Sequence, residues 1–135
     1  MPLKSTRVDV EELVGKAKWS HGSTFIYETP CGRLDVLYSR GVCKLTDVQR
    51  WNVPEDYVIR MEFAPRRKVL VKDLNLSPNR FVREQESHPK NWVQYRSAED
   101  GIRISAVIGK KGDSVMVISY EPKKEDDSLR CASTK

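Results

Sequence analysis

The 135-residue sequence contains no hydrophobic run that approaches the length of a membrane span. A helix that crosses the hydrocarbon core needs about 20 mostly apolar residues in a row, so the sequence predicts a protein with no membrane span. No signal peptide is visible after Met1. The chain is therefore expected to be cytoplasmic, or to be the mature form of an exported protein with an added start methionine.

The sequence also lacks the spacings that mark common catalytic centres. Its two histidines, His21 and His88, stand in loop-like contexts, and no pair of His or Cys residues has metal-ligand spacing. The segment GKKGD at residues 109–113 lacks the GxxxxGK[ST] pattern of a phosphate-binding loop and is typical of a hairpin turn. The sequence therefore predicts no catalytic residue, no metal and no cofactor. A nucleophilic site that pairs Cys31 with a histidine stays open as the enzymatic alternative.

Positive charge is in modest excess, with 24 Lys and Arg residues against 19 Asp and Glu residues and a net charge of +5. Because most basic residues are scattered among acids, this excess favours a well-solvated surface over polyanion binding. The exception is a basic segment after Pro65, which contains Arg66, Arg67, Lys68 and Lys72. This segment keeps open an alternative in which nucleic acid or another polyanion binds there.

An amphipathic helix is predicted near the start of the chain, within STRVDVEELVGKAKW. Ser5 or Thr6 is the expected N-cap, Asp9 can complete a capping box with Thr6, and Gly15 offers a C-terminal stop. Apolar residues recur at the i, i+3, i+4 and i+7 positions of one helix face, and the pattern predicts that they pack inward: Val10, Leu13, Val14 and Ala17.

Beyond the helix the apolar period changes to two, which is typical of strands. Strands are predicted at residues 24–29 and 32–39, with Cys31 at the hairpin tip between them, and a third in VPEDYVIRMEFAP. In this third strand Ile59, Met61 and Phe63 are expected on the core side, with Arg60 and Glu62 on a wetter face. Three more strands are predicted in NWVQYRS, DGIRISAVIG and DSVMVISYEP.

Together these elements predict an α+β fold, in which one short N-terminal helix packs on a curved, mainly antiparallel sheet of about six strands. A chain of 135 residues is expected to form a single domain, residues 1–135. Residues 122–135 have the composition of a polar C-terminal tail, which Cys131 could tether. The candidate binding residues are the exposed basic positions and one tryptophan that could lie at the surface or anchor a loop: Arg60, Arg66, Arg67, Lys68, Lys72 and Trp51.

The N-terminal third resembles the start of the SmpA/BamE-like outer-membrane-assembly lipoproteins. Those proteins begin with a short helical T-x-x-[DE]-V-x-x-L-x-G-x-P segment that leads into strands. The matching residues are Thr6, Asp9, Val10, Leu13 and Gly15, whereas Ala17 stands where proline is usual and no second helical copy follows. The resemblance implies a helix followed by strands and covers about a third of the chain.

Most of the chain is similar to a group of small bacterial proteins of uncharacterised function that are usually exported. The shared pattern is YSxGxC, WNVP, EDGI and LRC, which here begin at Tyr38, Trp51, Glu99 and Leu129. The resemblance implies a fold and export but no activity.

The same resemblance suggests a disulfide between Cys43 and Cys131, two residues that each follow a predicted strand. Such a bridge would pin the tail to the sheet and leave Cys31 unpaired. Three free thiols in a reducing cytosol remain the alternative.

These observations favour a non-catalytic binding domain of an exported bacterial protein, with a protein as its partner. The alternative is a cytoplasmic binder of an anionic ligand or nucleic acid through the basic segment. The two hypotheses differ in compartment and in the surface that each would use.

Overall fold

The computed structural model describes residues 1–44, 50–87 and 90–132. Its one α-helix, α1, spans Arg7–Val14. The capping box is present: the Asp9 backbone N–H donates to Thr6 Oγ1 over 3.3 Å, and the Thr6 N–H donates to Asp9 Oδ2 over 2.9 Å. Gly15 follows at φ 84°, a positive φ that glycine adopts without strain. The helix therefore begins and ends where the sequence predicts.

The inward face of α1 is narrower than the sequence pattern suggests. Val10 is 7% exposed and Val14 packs on the same cluster, but Leu13 is 86% exposed. The prediction that Leu13 faces the core is wrong. In a helix of eight residues only the i, i+4 row of Val10 and Val14 lies against the sheet, and Leu13 lies to one side of that row.

Truncating these two side chains should therefore have different effects on stability. Val10→Ala is expected to lower the free energy of unfolding by about 1.5–3 kcal/mol, because buried methyl groups are lost. Leu13→Ala should change it by less than about 0.5 kcal/mol, because the side chain is already in water. Urea unfolding of both variants measures the difference. A larger loss for Leu13→Ala than for Val10→Ala would mean that the helix is rotated on the sheet.

The rest of the described chain is dominated by one antiparallel sheet of eight strands, which is not the six that the sequence predicts. The strands are β1 (Trp19–His21), β2 (Thr24–Thr29), β3 (Gly32–Tyr38), β4 (Val58–Pro65), β5 (Val82–Gln85), β6 (Trp92–Ser97), β7 (Ile102–Val107) and β8 (Ser114–Tyr120). The two additional strands, β1 and β5, form the two edges of the sheet and have only exposed residues. Neither therefore shows the apolar alternation that identifies a half-buried strand.

The strand order is β1-β2-β3-β4-β8-β7-β6-β5. The sheet thus consists of two four-stranded meanders that join through β4 and β8, where only three residue pairs are in register: Met61–Tyr120, Glu62–Ser119 and Phe63–Ile118. Residues paired across antiparallel strands lie on the same side of a sheet. The register therefore defines two faces that continue across both meanders.

One side, here called the covered face, carries two hydrophobic clusters. The first packs under α1 and has Tyr27, Val36, Tyr38 and Val58 at its centre. Its two buried phenols satisfy each other, with 2.7 Å between the hydroxyl oxygens, and burial raises the pKa of Tyr38. The second cluster lies in the other meander, against the segment that includes the 3₁₀ helix Val71–Leu74. Its buried members are Val71, Val93, Ile104, Ala106 and Val115.

The opposite side is here called the open face. Arg60 and Glu62 lie on it, whereas Met61 packs on the first cluster of the covered face. The alternation predicted for β4 fails at Ile59, because the register shifts between Leu37 and Tyr38 and leaves Ile59 without a cross-strand partner. Ile59 is nevertheless buried, in a third cluster with Leu3, Trp51 and Val53.

The C-terminal residues join this third cluster. Residues 124–129, assigned by composition to a polar tail, form the 3₁₀ helix Lys124–Leu129, and Leu129 packs against the cluster. A disulfide links Cys43 to Cys131 with 5.8 Å between the Cα atoms, and Cys31 is free and exposed. The end of the described chain is therefore an ordered part of the domain.

Candidate binding face

The centre of the open face is polar. Hydrophobic residues on this side include the third cluster next to the ends of β3 and β4 and the buried Ile26 of β2. Half-buried apolar residues lie on the same side of the other meander: Trp92, Val107 and Val117. Elsewhere the face presents charged side chains from neighbouring strands, in part because alternate residues of β3 and β4 point away from the covered core: Arg33, Asp35, Arg60, Glu62, Arg96 and Arg103. Such a surface can contact a partner without any rearrangement of the core.

The most unusual feature of this face is an exposed tryptophan at its edge. Trp19 is 51% exposed in β1 and pairs across the sheet with the buried Ile26. The Arg33 guanidinium lies 5.6 Å from the centre of the indole ring, within cation–π range. Arg33 also donates two hydrogen bonds to the Asp35 carboxylate, at 2.7 and 3.0 Å. The three side chains, here called the Trp19 patch, are therefore connected by direct contacts.

Arg60 and Glu62 extend this surface onto the next strand. Glu62 pairs in register with Asp35, and Arg60 pairs with Leu37. The Arg60 Nε lies 3.4 Å from Glu62 Oε1, and both side chains remain well exposed. The predicted wet face of β4 and the Trp19 patch thus share one side of the sheet.

The basic segment after β4 lies elsewhere. Arg66 folds back onto the β2–β3 hairpin: its backbone N–H donates to the Cys31 carbonyl, a guanidinium nitrogen donates to the Thr29 carbonyl, and the same nitrogen lies 3.7 Å from Glu28. Arg67 lines an apolar cavity of about 420 Å3 with Phe63 and other residues of the covered side. The basic segment therefore continues toward the covered face, and the structure does not group it with Arg60.

Lys68 and Lys72 complete the basic segment. Both are exposed, and Lys72 belongs to the 3₁₀ helix Val71–Leu74, which packs on the second cluster through Val71. Neither residue takes part in an ion pair within the described ranges. The two lysines are thus free solvated charges near the covered face.

Trp51 was a candidate surface residue, and the structure removes it from that role. It is 2% exposed, and the Arg130 guanidinium covers its ring at 4.6 Å from the centre. A β-bridge pairs Trp51 with Arg130, and the Asn52 N–H donates to the Leu129 carbonyl over 2.8 Å. Because so large an aromatic surface is most stable when buried, Trp51 anchors the loop and the C-terminal segment to each other.

The two described members of the candidate Cys–His pair, His21 and Cys31, lie apart. His21, in β1, pairs with the first residue of β2, whereas Cys31 follows the last residue of that strand, so the two are at opposite ends of the hairpin. The other histidine, His88, lies outside the described residues. In the described ranges no group of three or more His, Cys, Asp or Glu side chains could hold a metal ion. The candidate Cys–His pair is therefore not formed by Cys31 and His21.

One compact polar cluster joins β5, β6 and the turn before β8. Arg83 Nε donates to Tyr95 Oη and to Asp113 Oδ2, each over 3.1 Å, and the Tyr95 hydroxyl donates to the same carboxylate oxygen. Burial, followed by the hydrogen bond to Asp113, raises the pKa of Tyr95. The hydrogen bonds of Arg83 and Tyr95 to Asp113 therefore connect β5 and β6 to the turn before β8.

The Trp19 patch is the feature that sequence reasoning missed. The sequence pattern predicts a helix that stops at Gly15 and strands from residue 24 onward, and it assigns no element to Trp19. The available signal was Gly22, which stands between WSH and STFIY and has φ 61° in the turn between β1 and β2. A glycine between two short β-type runs is typical of a hairpin.

No helix in the described part of the chain is both long enough and apolar enough to cross a membrane. Comparisons of the chain with protein-family models, with curated proteins and with solved structures give no match.

Proposed function

We propose that the protein is a non-catalytic binding domain of an exported bacterial protein, and that its open face binds a protein partner. The Trp19 patch is the observation that carries this proposal. Tryptophan and arginine are the residues most enriched at the energetic centres of protein interfaces. Here the Arg33 guanidinium lies over the ring of the half-exposed Trp19 and donates a hydrogen bond to Asp35. Contacts that restrain these side chains before binding lower the entropy that is lost on binding.

The chemistry of the open face indicates the kind of partner. Arg60 and Glu62 present both signs of charge on the strand next to Asp35. Non-obligate interfaces are about as polar as the rest of a protein surface and contain a few aromatic anchors. The expected partner is a protein that offers an apolar contact for Trp19, surrounded by charges of both signs, in a complex that forms and dissociates.

Export is supported by the Cys43–Cys131 disulfide. Structural disulfides persist in oxidising compartments and are rare in a reducing cytosol. The alternative function, binding of an anionic ligand or nucleic acid through Arg66, Arg67, Lys68 and Lys72, would require these residues to form one surface. Arg66 is instead engaged with the β2–β3 hairpin and Arg67 borders an apolar cavity, which favours the open face.

Two open-face variants test the proposal once a partner has been captured from the extracytoplasmic fraction of the producing cells. Trp19→Ala and Arg33→Glu should each weaken the complex at least tenfold, because hot-spot truncations cost about 2 kcal/mol or more. Both variants should remain folded, with losses of about 1–2 kcal/mol: Trp19 is about half exposed, and Arg33→Glu places a carboxylate opposite Glu28. Calorimetric titration of the purified pair measures the affinity.

Leu13→Ala and Arg67→Glu are the matched controls, because both alter exposed side chains outside the open face. Both variants should bind the partner as tightly as the unmodified protein. Equal weakening by Arg67→Glu, or full affinity in Trp19→Ala and Arg33→Glu, would reject the open face. Loss of affinity in Arg67→Glu would favour the basic segment as the binding surface.

A further inference from the structure

A second surface feature, independent of the Trp19 patch, is a cavity between the sheet and the C-terminal segment. It measures about 350 Å3 and opens beside the β6–β7 hairpin. Its lining contains five basic side chains and two acidic ones: Arg96, Arg103, Lys123, Lys124 and Arg130, with Glu121 and Asp127. The cavity is therefore strongly electropositive in a protein whose surface is otherwise mixed in charge.

Both acidic groups are already paired. Glu121 lies 2.8 Å from Arg103, and Asp127 lies 2.9 Å from Arg130. No ion pair in the described residues includes Arg96, Lys123 or Lys124. These three side chains therefore have no ion-pair partner in the described ranges. The two lysines also border a neighbouring cavity whose lining includes Glu99, Asp100 and Glu125.

The sheet places two of the arginines, which carry the same charge, directly opposite each other. Arg96 and Arg103 are direct cross-strand partners on β6 and β7, so their side chains leave the same face from neighbouring positions. Like charges directly opposite each other destabilise a sheet, whereas opposite charges stabilise it. Glu121 compensates one of the two charges, and the charge of Arg96 remains available to an anion.

The walls of the cavity are fixed at both ends. The Glu121 N–H donates to the Gly101 carbonyl over 2.7 Å, and the Lys124 N–H donates to the Ala98 carbonyl over 3.3 Å. At the other end of the cavity, Cys131 follows Arg130 directly and is bonded to Cys43. The basic side chains thus lie on a prearranged frame, as in small-molecule sites that are largely formed before binding.

We propose that this cavity binds a small oxyanion, a molecule that carries a phosphate or several carboxylates. The planar guanidinium of Arg96 can donate two parallel hydrogen bonds to either group, and the lysines add point charges. A volume of about 350 Å3 is at the small end of ligand sites, which run from roughly 300 to 1,000 Å3, and suits a compact anion. This site does not depend on a protein partner at the Trp19 patch.

Titration with two probes, sodium pyrophosphate and sodium citrate, tests the proposal by calorimetry and by thermal unfolding. At least one probe should bind saturably and raise the melting temperature, because a ligand that binds only the folded state stabilises it. Binding of pyrophosphate alone would assign a phosphate ligand, and binding of citrate alone would assign a polycarboxylate. Absence of saturable binding by both probes would overturn the proposal.

Arg96→Gln and Arg60→Gln form the matched pair of variants, since both residues are exposed arginines of the open face and only Arg96 lines the cavity. Arg96→Gln should weaken probe binding at least about tenfold, as expected for the loss of a charge-assisted contact. Arg60→Gln should leave the affinity unchanged. Equal loss in both variants would show unspecific attraction to the basic protein and would contradict a site.

The melting temperature of the protein without a probe is a second readout. Without a probe and at low salt, Arg96→Gln should melt at the same temperature as the unmodified protein or higher, because a like-charge pair has been relieved. With saturating probe the order should reverse, since only the unmodified protein gains ligand stabilisation. A lower melting temperature for Arg96→Gln in the absence of a probe would assign Arg96 a structural role and contradict the proposal.

Discussion

Removal of the Cys43–Cys131 disulfide, through Cys43→Ser and Cys131→Ser together, is expected to lower the free energy of unfolding by up to about 4–5 kcal/mol. The bridge joins residues 88 positions apart, and a cross-link over so long a loop removes much of the conformational entropy of the unfolded chain. A loss of this size is a large fraction of the 5–15 kcal/mol that stabilises a typical domain. Guanidinium unfolding of the double variant measures it.

Cys31→Ser is the control for this experiment, because Cys31 is exposed and unpaired. It should change the free energy of unfolding by less than about 0.5 kcal/mol. Peptide mapping of the unreduced protein should recover one cross-linked pair, Cys43 with Cys131. Equal stability of the double variant and the unmodified protein would mean that the C-terminal segment is held by its packing alone.

Truncation of Trp51 is expected to have the second large effect, a loss of about 3–5 kcal/mol in Trp51→Ala. The side chain fills the third cluster with Leu3, Val53 and Ile59, and Arg130 covers its ring. Its indole N–H has no hydrogen-bond partner among the described residues. Trp51→Phe should therefore cost much less than Trp51→Ala, because most of the buried aromatic area is kept.

Trp19→Ala is the matched control for Trp51→Ala. The same large side chain is removed from the edge of the open face, where half of it is already exposed. Its loss should cost about 1–2 kcal/mol, well below the loss at Trp51, since about half of the side chain is already in water and its buried half contacts Arg33 and the strand that carries Ile26. Chemical unfolding compares the two variants directly. Similar losses at the two positions would contradict the assignment of Trp51 to the core and Trp19 to the surface.

Elements whose stability is local could be predicted from the sequence. The capping box at Thr6 and Asp9 depends on residues three positions apart, and it forms as expected. The strands with apolar alternation, such as β2 and β3, were found because a half-buried sheet imposes a period of two. The orientation of Leu13 was not predictable in this way, because it depends on how α1 lies on the sheet.

Features that depend on the arrangement of the sheet were harder to predict. The edge strands β1 and β5 bury no residue, so hydrophobic periodicity gives no signal for them. The 3₁₀ helix within the predicted tail has no signal in the composition, because the segment is held by distant groups, as in the hydrogen bond from the Cys131 N–H to the Arg50 carbonyl. The tether through Cys131 agrees with the prediction. The disulfide followed from a family resemblance and not from spacing.

The candidate site was anticipated only in part. Arg60 was placed on a wet face by alternation, and the structure agrees. The contacts of Trp19 with Arg33, and the convergence of Arg96 with Lys123 and Lys124, join residues far apart in the chain. Such groupings become visible only when the strand order and the path of the C-terminal segment are known.

Photo-crosslinking in the producing cells tests the central claim, that the open face binds the partner, most directly. A benzophenone amino acid is placed singly at Arg60 or Glu62 on the open face, which leaves Trp19 and Arg33 intact, and at Leu13 or Arg67 as exposed positions outside it. We expect a discrete adduct with the same partner from Arg60 and Glu62, and none from Leu13 or Arg67. An adduct from Leu13 or Arg67, with none from the two open-face positions, would contradict it.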